Sequence, residues 1–235
     1  MINTSNRSDR KEIMDDLEMQ GEELEKTLLD LDKVNKWLGG NKITLEGAEK
    51  LLKSCCYTRP VRIIDVGCGN GTILKEVAEM GRKRGDQLEL LGIDANRHAM
   101  EIARRNLSDY PEVSFKAMDV FSEEFKALEA DIILCTLTLH HFTDEQIEDL
   151  MKAFTSMVKL GVVVNDLERS RSAYYLFQAF CAAFNIREIN RKDGLTSILR
   201  SFKRKDLERY SKNLNVNRQE INRRWAFRYQ WILYK

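Results

Sequence analysis

The chain has 235 residues, which suits one α/β domain of ordinary size with a small added layer. A hydrophobic content of 43% allows one substantial core, and 38 basic against 37 acidic residues leave no global field to recruit nucleic acid or a membrane. The five cysteines (Cys55, Cys56, Cys68, Cys135, Cys181) have no C-x-x-C spacing, which argues against a zinc site or a disulfide framework and for a reducing compartment. "MINTSNRSDRKEIMDD" has no apolar core of leader length, and no apolar run approaches the roughly 18–20 residues of a membrane span. A cytoplasmic protein without membrane association is expected.

The first sixty residues read as helical. "GEELEKTLLDLDKVNKWLGG" places Leu24, Leu28, Leu31, Val34 and Leu38 at spacings of three and four, with Gly39 and Gly40 as a stop. "NKITLEGAEKLLKS" reads as a second helix, with Thr44 as its N-cap. From Val61 onward, short apolar runs alternate with amphipathic segments. The strand candidates are "VRIIDVG", "LELLGID", "VSFKAMD", "ADIILCT" and "GVVVNDL". Helices between them start near Thr72, Asn96 and Thr143, the last with a "TDEQ" capping box. The stretch from 170 to 185 reads as an aromatic-rich helical insertion. "NVNRQEINRRWAFRYQWILYK" reads as an antiparallel hairpin that finishes the sheet. The expected fold is α/β, a doubly wound, mostly parallel seven-stranded sheet with an antiparallel terminal hairpin. Residues 1–58 are expected to form a helical cap, and residues 59–235 the Rossmann-like domain.

Gly67, Gly69 and Gly71 fall directly behind Asp65, at the turn where an open parallel sheet binds ligands. The spacing is G-x-G-x-G, with Thr72 where a dinucleotide fingerprint needs its third glycine, and Gly-Lys-Ser/Thr is absent. Phosphate is therefore disfavoured, and so is NAD-dependent redox chemistry. Asp65 would repel pyrophosphate yet suits an ammonium. Asp94, ending the second strand, can accept from ribose hydroxyls, and Asp119, ending the third, from an adenine amine. The implied ligand joins a cationic amino-acid end, a ribose and an adenine.

"DVGCGNG", "GID" and "AMDVF", in this order and spacing, resemble the class I S-adenosylmethionine-dependent methyltransferases over about Val61 to Leu167. The resemblance implies S-adenosyl-L-methionine as cofactor, with Asp65, Gly67, Gly69 and Gly71 bordering its methionine part. Asp94 with Ala95 would meet the ribose, and Met118, Asp119 and Val120 the adenine. Thr136, ending the fourth strand, would belong to the same site. "GEELEKTLLDLDKVNKWLGG" and "KDGLTSILRSF" resemble more loosely a bacterial subgroup linked to phenolic or polyketide products.

Methyl transfer needs an aligned nucleophile and, for a weakly acidic one, a base. "CTLTLHHFTDEQ" offers adjacent His140 and His141 as base candidates. The N/D-P-P-Y/F/W motif of nucleobase N-methylation is missing from this strand end. Asn165, Arg169, Tyr174 and Arg200 are candidate acceptor-binding residues. No third ligand at a telling spacing accompanies the two histidines, so no metal is expected. Residues 191–235 carry 13 basic and 4 acidic residues, and the first 50 carry 12 acidic and 8 basic. We read this as acidic helices lying across basic strands rather than as an RNA surface. A small-molecule acceptor methylated at oxygen is expected, with a homodimer left open. The alternatives are an RNA or protein acceptor, or a non-catalytic cofactor-binding protein.

Overall fold

A computed structural model describes residues 2–53 and 58–235; Cys55 and Cys56 lie outside the described residues. The chain opens with a short 3-10 turn (Ile13–Asp15), then α1 (Gly21–Trp37) and α2 (Gly40–Leu52). It continues through β1 (Val61–Val66), α3 (Thr72–Arg84), β2 (Leu88–Asp94), α4 (Arg97–Asn106), β3 (Val113–Ala117) and α5 (Glu123–Lys126). After β4 (Ala130–Thr136), a second 3-10 turn (Leu139–His141) leads into α6 (Asp144–Met157) and β5 (Val158–Leu167). Three helices follow, α7 (Arg171–Ala183), α8 (Glu188–Arg200) and α9 (Arg204–Ser211), and then the hairpin of β6 (Arg218–Arg224) and β7 (Arg228–Tyr234).

The strands form one sheet in the order β3-β2-β1-β4-β5-β7-β6. The first five strands run parallel, and β7 is antiparallel to both β5 and β6. Because strand side chains alternate, each strand feeds two cores. Ile63, Leu134, Val163 and Ile232 pack with residues of α1–α4, and Ile64, Ile133, Val162 and Leu233 pack with α5, α6 and α9. Burial on both faces explains why these strands read as continuous apolar runs. Strand order reverses between β1 and β4, so the crevice at their carboxyl ends is the ligand-binding position of such a sheet.

Helix starts at Thr72, after Asn96 and after Thr143 match the sequence reading, including the capping box between Thr143 and Gln146. Three details differ. First, α2 starts at Gly40, because Gly39 turns the chain with φ +69°; Thr44 therefore lies inside the helix, sharing its hydroxyl with Thr136 at 2.8 Å. Second, β3 stops at Ala117, which leaves Asp119 in the following turn. Third, α8 extends through a stretch not read as helix. Its Gly194 weakens helix propensity but fits the contact, since a Cβ there would lie 2.4 Å from Phe177 of α7. Of the residues expected to form a cap, α2 instead packs on β4, β5 and β7 within the sandwich, while the first 3-10 turn and α1 border the crevice.

Candidate active site

The chain leaves β1 through Gly67 and Gly69, whose φ values of +70° and +53° lie in the left-handed region that favours glycine. A Cβ on Gly67 would also sit 2.2 Å from the Thr138 hydroxyl. The turn is fastened from both sides. The Gly69 amide donates to Asp94 Oδ2 at 3.1 Å, and Thr72 Oγ1 donates to Asp32 of α1 at 2.6 Å. Above it opens a cavity of about 1160 Å³.

Asp65, Gly67, Gly69, Asp94, Ala95, Met118, Asp119, Val120 and Thr136 all line this cavity. Gly71 does not: it caps α3 against Phe115 and Leu107, and its glycine is a packing requirement. Asp65 is 1% exposed, and neither of its carboxylate oxygens has a hydrogen-bond partner. Burial, with the charge of Asp94 beside it, pushes its pKa up to about 8. A buried, unpartnered acid is costly unless a cation answers it, and the ammonium of the expected S-adenosylmethionine would be such a cation. Asp94 accepts from the Gly69 and Asn96 amides (3.1 and 3.0 Å), which leaves carboxylate lone pairs for ribose hydroxyls. Asp119 is exposed and accepts from the Phe121 amide.

A measurable consequence follows from Asp65. At pH 7 it is protonated in the free protein, and an ammonium ligand favours its ionised form. Binding of S-adenosylhomocysteine (SAH) should therefore release close to one proton at pH 7 and tighten as pH rises from 6 to about 8. Calorimetry in buffers of different ionisation enthalpy reads this directly, and Asp65→Asn should abolish the release.

At the end of β4 the two histidines separate in role. His140 is 2% exposed, with Nδ1 2.8 Å from Asp166 Oδ1 and Nε2 3.5 Å from Glu12 Oε1. Burial opposes its charge, but the charge and hydrogen bond of Asp166 and the nearby charge of Glu12 prevail and push its pKa up to about 10. It is an imidazolium at neutral pH, which corrects the expectation that it could serve as a base. His141 is half-buried at the cavity wall, and its Nδ1 lies 2.6 Å from Asp15 Oδ1. Burial works against the Asp15 carboxylate, yet hydrogen bonds from His141, the Glu12 amide and Arg200 hold it well below the usual carboxylate range.

Glu12 and Asp15 come from the first 3-10 turn and its N-cap, which rests on α8: the Ile13 and Met14 amides donate to Asp193 at 2.8 and 2.9 Å. Glu12, His140 and His141 bring possible ligand atoms within 4.8 Å of one another, so the fold supplies the third ligand that sequence spacing did not reveal. Glu12 Oε2, His140 Nδ1 and His141 Nδ1 are engaged by Ser197, Asp166 and Asp15 respectively, while Glu12 Oε1 and His140 Nε2 have no hydrogen-bond partner, and a metal would have to displace the proton held on His140.

The expected acceptor residues mostly lie elsewhere. Asn165 is buried beneath α2, donating to the Gly40 carbonyl and Thr44 Oγ1, both at 2.9 Å. Arg169 is 2% exposed and is tied to the Ser201 carbonyl and Asp206. Tyr174 packs edge-on against Tyr175 rather than at the cavity wall. Arg200 does line the cavity, but its guanidinium binds Asp15 at 2.6 Å and the His141 carbonyl at 2.5 Å, holding the histidine turn against the N-terminal turn. The structure adds Leu176, Phe177, Phe180 and Phe227 as an apolar wall, and Asn35 and Arg228 beside them.

Comparison with known proteins agrees with this geometry. Residues 63–161 match the family model described as a methyltransferase domain. The ubiquinone biosynthesis O-methyltransferase of Bordetella avium is 29% identical over 157 residues, covering 64% of this chain and 59% of that protein. The carboxy-S-adenosyl-L-methionine synthase of Helicobacter pylori is 28% identical over 113 residues, covering 48% and 45%. The chain thus aligns with less than two thirds of the length of either relative. Among solved structures, the plantazolicin methyltransferase BpumL in complex with SAH superposes with a TM-score of 0.65 at 15% identity, covering 88% of this chain and 89% of that one. The CMeT domain of the citrinin polyketide synthase gives 0.60 at 14% identity, covering 80% and 50%. With the sheet order, the glycine turn and the acids at the ends of β1 and β2, these matches identify residues 63–161 as a class I S-adenosylmethionine-dependent methyltransferase domain.

Proposed function

We propose that this protein transfers the methyl group of S-adenosylmethionine to an oxygen of a small acceptor, phenolic or polyketide-like, in the cytoplasm. The observation that carries this reading is the cavity itself. It runs from the acids at the ends of β1 and β2, past His141, to the apolar wall of Leu176, Phe177, Phe180 and Phe227. One end suits an adenosyl amino acid and the other a partly aromatic molecule, as in small-molecule sites that are mostly apolar with a few placed polar groups. The relative named as an O-methyltransferase supports oxygen as the acceptor atom. The buried free thiols Cys68, Cys135 and Cys181 suit a reducing compartment, and among the described residues no helix is long and apolar enough to cross a membrane.

When bound, the cofactor supplies a methyl group activated by its sulfonium. The protein's task is alignment and proton removal. Asp65 and Asp94 fix the two polar ends of the cofactor. Asp15 accepts from Nδ1–H of His141, the tautomer in which Nε2 carries the lone pair that can take a hydroxyl proton. Arg200 and the His140–Asp166–Glu12 network hold that turn in place.

The basic C-terminal stretch gives no comparable support to an RNA acceptor, because Arg200, Arg204, Arg209, Arg218, Arg223 and Arg224 each pair with an acid. The deciding assay incubates the protein with S-adenosylmethionine and a panel of phenols and hydroxylated aromatic acids, and follows methylated product by mass. Product from hydroxyl-bearing members supports the reading. SAH binding without turnover across the panel would favour a non-catalytic cofactor-binding protein.

A further inference from the structure

Arg228 opens β7 and is 2% exposed, yet no carboxylate among the described residues pairs with it. Its Nη2 donates to Asn35 Oδ1 at 2.8 Å, while Nε and Nη1 have no partner. The acid whose charge acts on it, Asp166, is already engaged by His140 and the Leu167 amide. Burial lowers the guanidinium's pKa only to about 10, so it remains a cation at neutral pH. The surroundings accommodate it closely. Gly40 begins α2 against the guanidinium, and a Cβ there would lie 2.8 Å from Cζ. Both Arg228 and Asn35 line the cavity. A buried arginine fork with free donors at a ligand cavity matches a carboxylate in charge and in planar geometry.

The cofactor has a carboxylate of its own, but its ammonium, on the same carbon, is matched by Asp65. Asp65 lies on β1 and Arg228 on β7, with β4 and β5 between them, so their backbones are roughly 14 Å apart across the sheet. Following the register from Asp65 through Leu134 and Val163 reaches Ile232, and Arg228 lies four residues away along β7, about 13 Å at strand rise. One amino-acid headgroup does not span that diagonal.

We propose that Arg228, oriented by Asn35, binds a carboxylate on the methyl acceptor, which makes hydroxylated aryl acids the favoured acceptor class. This rests on the methyltransferase reading of the cavity. The test titrates SAH-saturated protein with 2,4-dihydroxybenzoate and with resorcinol, which differ by the carboxylate alone. The wild type should bind the acid about 10–100-fold more tightly, the range expected for charge-assisted hydrogen bonds. Arg228→Met should erase that preference, and Arg228→Lys should retain part of it, with SAH affinity unchanged in both. Because the Met variant removes an unpaired buried charge, its melting temperature should equal or exceed that of the wild type without ligand.

Equal affinity of the wild type for the two probes, or binding of neither, overturns the proposal. So does an Arg228→Met variant that loses SAH affinity but keeps 5′-methylthioadenosine affinity, since the carboxylate would then be the cofactor's. If the wild type binds no SAH, the cofactor reading fails separately. The same pair of probes is then titrated without SAH, and a preference for the acid that disappears in Arg228→Met still upholds the role of Arg228.

Discussion

His141→Gln should lower kcat by about 10²–10⁴ while SAH affinity stays unchanged, because general-base catalysis contributes on that scale and the ring does not hold the cofactor. The defect should depend on the acceptor. A phenol of low pKa ionises without help, so the loss should shrink as acceptors become more acidic. Asp15→Asn should reproduce part of the defect. An amide at the position 2.6 Å from Nδ1 no longer demands the tautomer that leaves Nε2 unprotonated. A purely structural role for His141 would show as an equal loss across all acceptors, and that outcome would remove it from the reaction. Steady-state kinetics over a series of substituted phenols distinguishes the two.

The proposed cofactor half of the site was legible in the sequence because it is local. Asp65, the glycines and Asp94 sit at strand ends, and a strand end is recognisable wherever an apolar run stops at a turn residue. The exceptions at this half were small: Gly71 is glycine for Phe115 rather than for a ligand. The proposed acceptor half was much less legible, because it is assembled from segments far apart in the chain. Glu12 and Asp15 meet His140 and His141 across 128 and 126 residues, and Asn35 meets Arg228 across 193. No spacing rule links such pairs. Asn165 and Arg169 misled for a related reason. Both stand at the end of a parallel strand, where ligands bind, but each is consumed by a neighbouring helix, Asn165 by α2 and Arg169 by Asp206 of α9. The charge asymmetry fared better, since Glu46 with Arg224 and Asp15 with Arg200 join the acidic and basic ends.

His140 also holds the fold together, because it lies buried between two acids. Replacing it with Gln leaves Asp166 and Glu12 buried without their shared cation. Breaking such a pair costs about 3–5 kcal/mol, and for a chain of this size that lowers Tm by roughly 6–20 °C. The effect has a definite pH dependence. In the folded protein His140 titrates at about 10, against an ordinary value of 6.5, so its stabilising contribution is complete below 6.5 and fades as pH rises through 10. Asp166 and Glu12 are held below their ordinary values of 3.8 and 4.5, so their contribution is present above those values and fades in acid. Both trends arise from the same interaction, which is strongest between about pH 5 and 6.5. Thermal unfolding of wild type and His140→Gln should therefore differ most in that window, and the gap should close as pH approaches 10. A gap that stayed constant from pH 6 to 10 would mean that His140 is held as a neutral ring. The base assignment would then have to be reopened, because a neutral His140 would compete with His141 for the acceptor's proton.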